Sequence, residues 1–81
     1  RVNLWPNPVI TNRLKVSVES DMAGGEWLLV DMQGNIMERK AYTGHRESQE
    51  IDMSRAVPGI YILRVISGGK GKALRVVKEG K

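Results

Sequence analysis

The chain is 81 residues long, carries a net charge of +4 and contains no cysteine. This length is that of one small domain, and the lack of cysteine excludes disulfides and thiolate metal sites. No apolar run is long enough to cross a bilayer, so direct membrane insertion is not expected.

The basic charge is concentrated near the end of the chain. Residues 1–63 hold seven Lys/Arg against eight Asp/Glu, whereas residues 64–81 hold six against one. A basic segment of this kind can bind phosphates, an acidic membrane surface or an acidic protein groove. It is equally typical of an edge strand that lysines protect against unwanted pairing, and charge alone favours this second interpretation.

The first strand signal follows a proline-containing opening. Because Pro6 and Pro8 lack amide donors, residues 1–12 are predicted to form an N-terminal arm and not a central strand. Residues 13–19 alternate polar and apolar side chains, which predicts a half-buried strand. Residues 21–25 contain Asp and two Gly and predict a turn.

The middle of the chain predicts a hairpin. Residues 26–32 are apolar on both faces and indicate a central strand, although their period alone does not distinguish it from a short buried helix. Asp31 suits a tight turn because its carboxylate accepts bonds from following amides, and Gly34 can take the left-handed conformation. Residues 36–42 are predicted to form the return strand.

A short polar region separates this hairpin from the next. After a turn over residues 43–46, residues 47–52 predict an edge strand with Ile51 facing inward. Residues 53–57 are predicted to make one helical turn, capped by Asp52 or by the serine at position 54.

The last hairpin has the strongest strand pattern. Residues 60–67 are apolar on both faces except for Arg64, which predicts a second central strand. Residues 68–71 are predicted to be a flexible loop, and residues 72–78 to pair back. Strands at this spacing, without helices between them, predict an all-β antiparallel sandwich of about seven short strands, Ig-like in the broad sense. The predicted buried residues are Leu14, Val16, Val18, Leu29, Ile36, Tyr61, Leu63 and Val65.

No residue pattern indicates catalysis, a metal site or a cofactor. His45 is the only histidine, so a zinc site or a histidine-based triad would lack its partners. Asp21, Asp31 and Asp52 are spread over three turns without the spacing of a calcium-binding loop. We therefore expect no enzyme activity, no bound metal and no cofactor.

The positions of the aromatic residues bear on two further kinds of partner, carbohydrate and single-stranded nucleic acid. A carbohydrate-binding sandwich usually presents an exposed aromatic platform, whereas Trp27 lies in an apolar strand and Tyr61 is assigned to the interior. Single-stranded nucleic acid binding needs aromatic and basic residues interleaved on one face, so nucleic acid is not expected. An adhesive or carbohydrate-binding module, and a structural sandwich that caps a neighbouring enzyme domain, remain alternatives.

Four short motifs occur in order along the chain. They are Trp-Pro-Asn-Pro at residues 5–8, Leu-Val-Asp-Met-Gln-Gly at 29–34, Gly-Ile-Tyr-Ile-Leu-Arg-Val at 59–65, and the basic strand 72–78. Together they resemble the C-terminal sorting domain of the Bacteroidetes type IX secretion system, of type A. The chain departs from the usual pattern in having Trp5 where Tyr or Phe is more common.

The resemblance implies a single sorting domain over residues 1–81, in which the arm 1–12 precedes a sandwich at 13–79. Such a domain is covalently continuous with an upstream cargo domain. It is recognised in the periplasm by the type IX translocon and an outer-membrane shuttle protein, and it directs the cargo to the cell surface. A sortase usually then cuts it off and joins the cargo to an anionic lipopolysaccharide. The motifs imply recognition through Pro6, Asn7, Pro8, Asp31, Gly34, Gly59, Tyr61, Lys72, Arg75 and Lys78.

The three basic recognition residues of the last hairpin are predicted to differ in exposure. Arg75 and Lys78 are three positions apart, so they cannot both point to the same side of a regular strand, and at least one must face solvent. Lys72 is placed in the preceding turn and is predicted to be exposed. Replacing Lys72 and Lys78 by Glu is therefore expected to leave the domain folded.

Overall fold

Two antiparallel sheets form the fold in the computed structural model, which describes residues 2–19 and 24–79. The strands are β1 (Val2–Trp5), β2 (Arg13–Glu19), β3 (Gly25–Asp31), β4 (Ile36–Tyr42), β5 (Arg46–Asp52), β6 (Gly59–Ser67) and β7 (Lys70–Lys78). One sheet has the strand order β1-β2-β5 and the other β4-β3-β6-β7. The predicted all-β sandwich is confirmed, and β3 and β6 are central strands as predicted. No helix in the described part of the chain is long and apolar enough to span a membrane.

Regular alternation turns one face of each sheet inward, and the two inner faces form the core. In the three-stranded sheet Leu14 and Ile51 are fully buried, and Trp27 and Leu63 are fully buried in the four-stranded sheet. The edge position of β5 and the inward direction of Ile51 agree with the prediction. Seven of the eight predicted core residues are buried: Leu14, Val16, Val18, Leu29, Tyr61, Leu63 and Val65.

Ile36 is the exception, because the prediction that it is buried is wrong. Its side chain is 51% exposed. The register between β3 and β4 shifts between Leu29 and Val30, so that Ile36 lies opposite Val30. Leu29 is paired with Glu38, and an unbroken register would have placed Ile36 opposite Asp31, on the core side. The bulge therefore moves Ile36 to the outer face of the sheet.

The N-terminal arm begins as an edge strand. β1 pairs with β2, and its Val2 and Leu4 pack against the core. Trp5 points to the outer face of the three-stranded sheet and is 42% exposed. After Trp5 the chain crosses to the other sheet, where Val9 forms a parallel bridge with Lys78 of β7.

The turns differ from prediction in two places. The β6–β7 loop is a two-residue turn at Gly68 and Gly69, which have φ of 59° and 78°, because Ser67 already pairs with Lys70. Lys72 therefore lies on β7, not in the turn. Residues 53–57 form a turn instead of a helix; Asp52 does accept a bond from the following amide of residue 54, at 2.9 Å. The predicted turn at 21–25 lies largely outside the described residues.

Candidate functional site

Motif residues from separate parts of the sequence meet at one end of the four-stranded sheet. Asp31 ends β3 and is paired with Tyr61, near the start of β6. Gly59, the first residue of β6, is paired with Lys78, the last residue of β7. Because β6 runs antiparallel to both neighbours, its beginning lies between the ends of β3 and β7. We call this end of the sheet the motif end.

Asn7 pairs with the outer edge of β7 as a backbone peptide would. Its Nδ2 donates to the carbonyl oxygen of Arg75 at 2.9 Å, and its Oδ1 accepts from the amide of Val77 at 3.0 Å. Val9 continues the pairing, since its amide donates to the carbonyl of Val77 at 2.7 Å and its carbonyl accepts from the amide of Glu79 at 3.1 Å. The side-chain amide suits this place because it carries a donor and an acceptor side by side.

The two prolines of the first motif stand on either side of Asn7. Both Pro6 and Pro8 follow cis peptide bonds, and neither has an amide hydrogen to donate. Val9, directly after them, is fully buried and anchors the segment in the core. The Pro-Asn-Pro segment thus covers the last part of the β7 edge, which would otherwise present unpaired backbone groups.

Lys78 is buried, which contradicts the expectation that it can be replaced as an exposed residue. It is 8% exposed, and its Nζ donates to the carbonyl oxygens of Met53 and Ala56 at 2.7 Å each. Lys78 shares the inward side of β7 with the fully buried Val76, so its stem runs into the core and its ammonium group reaches the turn after β5. Arg75 is the member of the pair that faces solvent.

Asp31 is used within its own turn. Its Oδ1 accepts from the amides of Asn35 at 2.8 Å and Gln33 at 3.0 Å, and its Oδ2 accepts from the side chain of Asn35 at 3.1 Å. These donors, the Asn35 amide foremost, hold the pKa of Asp31 below its ordinary value. Gly34 has a φ of 92°, and its amide donates to the Asp31 carbonyl at 3.1 Å. The predicted turn is confirmed.

Tyr61 and Gly59 shape the same end of the sheet. The Tyr61 ring is buried, and its hydroxyl donates to the carbonyl of Val57. Gly59 has a φ of 155°, a value that side-chain-bearing residues rarely adopt. Together with Asp31 and Ile60 they line a shallow surface groove of about 420 Å³. The motif tyrosine is therefore a core residue whose polar tip closes the loop before β6.

The last hairpin carries four exposed basic residues. We define the basic hairpin as β6, β7 and the turn between them, residues 59–78. Its four exposed cations are Arg64, Lys70, Lys72 and Arg75. Lys72 is opposite Val65, towards the far end of the sheet, about 10 Å along β7 from Arg75. Nine of the ten predicted recognition residues thus form one group at the motif end, and Lys72 lies apart from it.

Sequence reasoning missed three residues of this arrangement. Val9 joins the arm to β7, while Met53 and Ala56 supply the carbonyls for Lys78. The position of Val9 directly after the second proline is the only signal that could have identified it. The two carbonyls are backbone atoms of a turn and leave no signal in the sequence.

Neither a metal centre nor an aromatic platform is visible in the part of the chain that the structure describes. No group of three His, Cys, Asp or Glu side chains among residues 2–19 and 24–79 could hold a metal ion. Trp27, Tyr42 and Tyr61 are buried, and Trp5 is alone on its face. The exposed platform that a carbohydrate-binding sandwich usually presents is therefore not formed by these four aromatic residues.

The chain belongs to the family of secretion system C-terminal sorting domains, whose family model matches residues 3–79. No curated protein matches it. This family is a sorting signal for type IX secretion and not a class of enzymes, so the domain acts with the type IX machinery to bring about export to the cell surface or secretion.

Proposed function

We propose that the domain is recognised in the periplasm by the type IX translocon and its outer-membrane shuttle protein, as part of an exported cargo protein. At the cell surface a sortase cuts the domain off and joins the cargo to an anionic lipopolysaccharide. The observation that supports this proposal is the family match over residues 3–79, together with the meeting of the family motifs at one end of one sheet.

The contacts at the motif end suggest that some motif residues shape the domain and others contact a partner. Asn7, Asp31, Tyr61 and Lys78 use their polar atoms within the domain. In our proposal they give the end of the sheet its shape. Nearby, Pro6 and Pro8 restrict the backbone, while Gly34 and Gly59 allow the positive φ that their positions require.

Direct recognition is proposed for the exposed cations of the basic hairpin, with Lys72 and Arg75, which lie on opposite sides of edge strand β7, as its main contacts. Elsewhere in the domain Arg13 pairs with Glu50 at 3.0 Å and Arg46 with Glu19 at 2.8 Å. In the described residues no acidic side chain lies within ion-pair distance of the four exposed hairpin cations. An acidic partner surface can therefore bind them without displacing an internal partner.

Export of a fused reporter protein tests this proposal. The reporter is placed upstream of the domain in a type IX-competent cell, and surface and periplasmic amounts are measured separately. The Lys72→Glu, Arg75→Glu double variant should accumulate in the periplasm, because both charges face solvent and are reversed. The reporter's mass at the surface reports whether the sortase has removed the domain.

A matched variant controls for the change in net charge. Lys15→Glu with Lys40→Glu makes the same change at two exposed lysines outside the basic hairpin and should leave export unaltered. Thermal melts of both purified double variants exclude unfolding as the cause. Normal surface delivery of a well-folded Lys72, Arg75 variant would remove the basic hairpin from the signal.

A further inference from the structure

The outer face of the four-stranded sheet is largely apolar. Its side chains alternate with the core residues of the same strands, so they point away from the three-stranded sheet. We call it the apolar face, formed by Leu28, Val30, Ile36, Ile60, Ile62, Ile66 and Val77.

Several of these side chains are open to solvent. Ile36 is 51% exposed, Ile60 41% and Ile66 37%. Val30, Ile62 and Val77 are half-buried beside Ile36 and Ile60, and Arg64 lies between Ile62 and Ile66 on β6. Strands that are apolar on both sides normally belong to sheets that are covered on both sides. Only one side of this sheet is covered within the described chain.

The outer face of the four-stranded sheet covers a few hundred Å². Four strands about 4.8 Å apart and about seven residues long give it dimensions of roughly 15 by 23 Å. Patches of a few hundred Å² are the largest that soluble monomers usually expose, and such patches often mark interaction sites.

Arginines identify the chemistry of the partner. Arg39, Arg64 and Arg75 point to the same side as the apolar residues, since their register partners are Leu28 and Ile62. The Nε atom of Arg39 lies 3.9 Å from the Oε1 atom of Glu26. Neither Arg64 nor Arg75 has an ion-pair partner in the described part of the chain. Arginine among apolar side chains is typical of protein interfaces, where it binds carboxylates with two parallel bonds.

We propose that the apolar face docks a partner protein whose surface combines apolar side chains with carboxylates. This inference deepens the proposed function, since it names the surface by which the export machinery holds the domain. A second copy is a poor occupant, because the described residues of each copy would bring three arginines but one carboxylate, that of Glu26, to such a contact. A cargo segment is also poorly placed, because any residues before Val2 continue from β1, at the edge of the other sheet.

Site-specific photo-cross-linking tests the occupant directly. A benzoylphenylalanine residue replaces Ile66 on the apolar face or, as a matched control, Ile10, which is 63% exposed and lies in the loop after the Pro-Asn-Pro segment. Both reporter fusions are irradiated in type IX-competent cells, and cross-linked partners are identified by mass spectrometry. We expect a component of the secretion machinery from position 66 and at least about tenfold less of it from position 10.

Substitutions on the same face test whether the contact matters. Ile36→Thr, Ile60→Thr and Ile66→Thr together keep β-branched side chains and should lower surface delivery at least about tenfold without lowering the melting temperature beyond error. Ile10→Thr is the control. Should the triple variant fail to fold, Arg64→Glu against Lys15→Glu makes the comparison with one exposed charge on each sheet.

The outcomes separate this inference from the proposed function. A cross-link from position 66 to the reporter or to a second copy, or none above the level of position 10, overturns the docking proposal. So does normal delivery of the folded triple variant. If the reporter fused to the unaltered domain never reaches the surface, that result counts against the proposed function. The cross-linking result is read separately, because it does not depend on export.

Discussion

The outer faces of the two sheets are opposites, although their inner faces are alike. On the three-stranded sheet the outward side chains of β2 and β5 are all polar, and ion pairs such as Arg13–Glu50 link the strands across that face. On the four-stranded sheet Leu28, Ile62 and Ile66 occupy the equivalent outward positions. A sheet whose strands alternate strictly can have its polar face in contact with solvent. A sheet whose strands are apolar on both faces exposes apolar side chains unless another element or a partner covers its second face.

The interactions between side chains on the outer face also differ between the two sheets. The outer face of the small sheet is joined by exposed ion pairs, which contribute little to stability. The outer face of the large sheet buries Leu28 to 7% exposure against its own neighbours, so it packs even before a partner binds. The large sheet therefore combines internal stability with a surface suited to binding.

The largest loss of stability is expected from truncating a core leucine, and it should be similar on the inner faces of the two sheets. Leu14→Ala in the small sheet and Leu63→Ala in the large sheet each remove a fully buried leucine. Each should lower the free energy of unfolding by about 2–5 kcal/mol, since a cavity remains in the core. Urea denaturation measures both, and a cost within error for either variant would show that the two inner faces are not equivalent.

The buried lysine should give the next largest effect. Lys78→Met keeps most of the stem but removes the donor to the carbonyls of Met53 and Ala56, which should cost about 1–3 kcal/mol. Arg75→Met, three residues earlier on the same strand, removes an exposed charge and should stay within about 0.5 kcal/mol. Equal melting temperatures for the two variants would mean that the Lys78 bonds contribute nothing.

Much of this fold was accessible from the sequence, because alternation is a local property. The segment 13–19 shows its buried face in every second residue, and the Asp31–Gly34 turn carries its own hydrogen-bonding side chain. The position of Ile36 was not accessible. One extra residue at a bulge reverses the face of everything beyond it, and nothing in the composition of the strand reveals the shift.

The candidate site was less accessible, because its contacts join distant residues. The family motifs named Asn7 and Lys78, but their partners are backbone atoms at Arg75, Val77 and the turn after β5. Backbone groups are the same in every residue, so no pattern of side chains identifies them. The spacing of Arg75 and Lys78 showed that they differ in direction, and only the packing of β7 decides which of them is buried.

Substitutions on the outer faces of the two sheets should change stability less, and they compare those faces directly. Leu28→Ala, on central strand β3, removes a side chain that is only 7% exposed and should cost about 1–2 kcal/mol. Ser17→Ala, on central strand β2, alters the matching outward position of the small sheet and should stay within about 0.5 kcal/mol. Denaturation under identical conditions compares the two, and similar costs would contradict the distinction between the faces.

The smallest effect concerns the stability of the two sheets in acid. Asp31 ends β3 of the large sheet and Asp52 ends β5 of the small one, and both carboxyls have a pKa lowered from 3.8, chiefly by backbone amides of the following turn. A lowered folded-state pKa means that each carboxylate stabilises the fold above about pH 4. That contribution disappears as the pH falls through the lowered pKa and the carboxylate is protonated.

Asn substitutions show how much each turn contributes to this loss. Asp31→Asn and Asp52→Asn should each lose less stability than the unaltered domain between pH 6 and pH 2.5, measured by urea denaturation at both values. Asp31 accepts three bonds at 2.8–3.1 Å from two residues of its turn, whereas the donors to Asp52 are the amide of Ser54, at 2.9 Å, and the side chain of the same residue. The Asp31 variant should therefore resist acid more than the Asp52 variant. The reverse order would mean that the attraction of Asp52 to Arg13 and Arg55 outweighs the hydrogen bonds of the Asp31 turn.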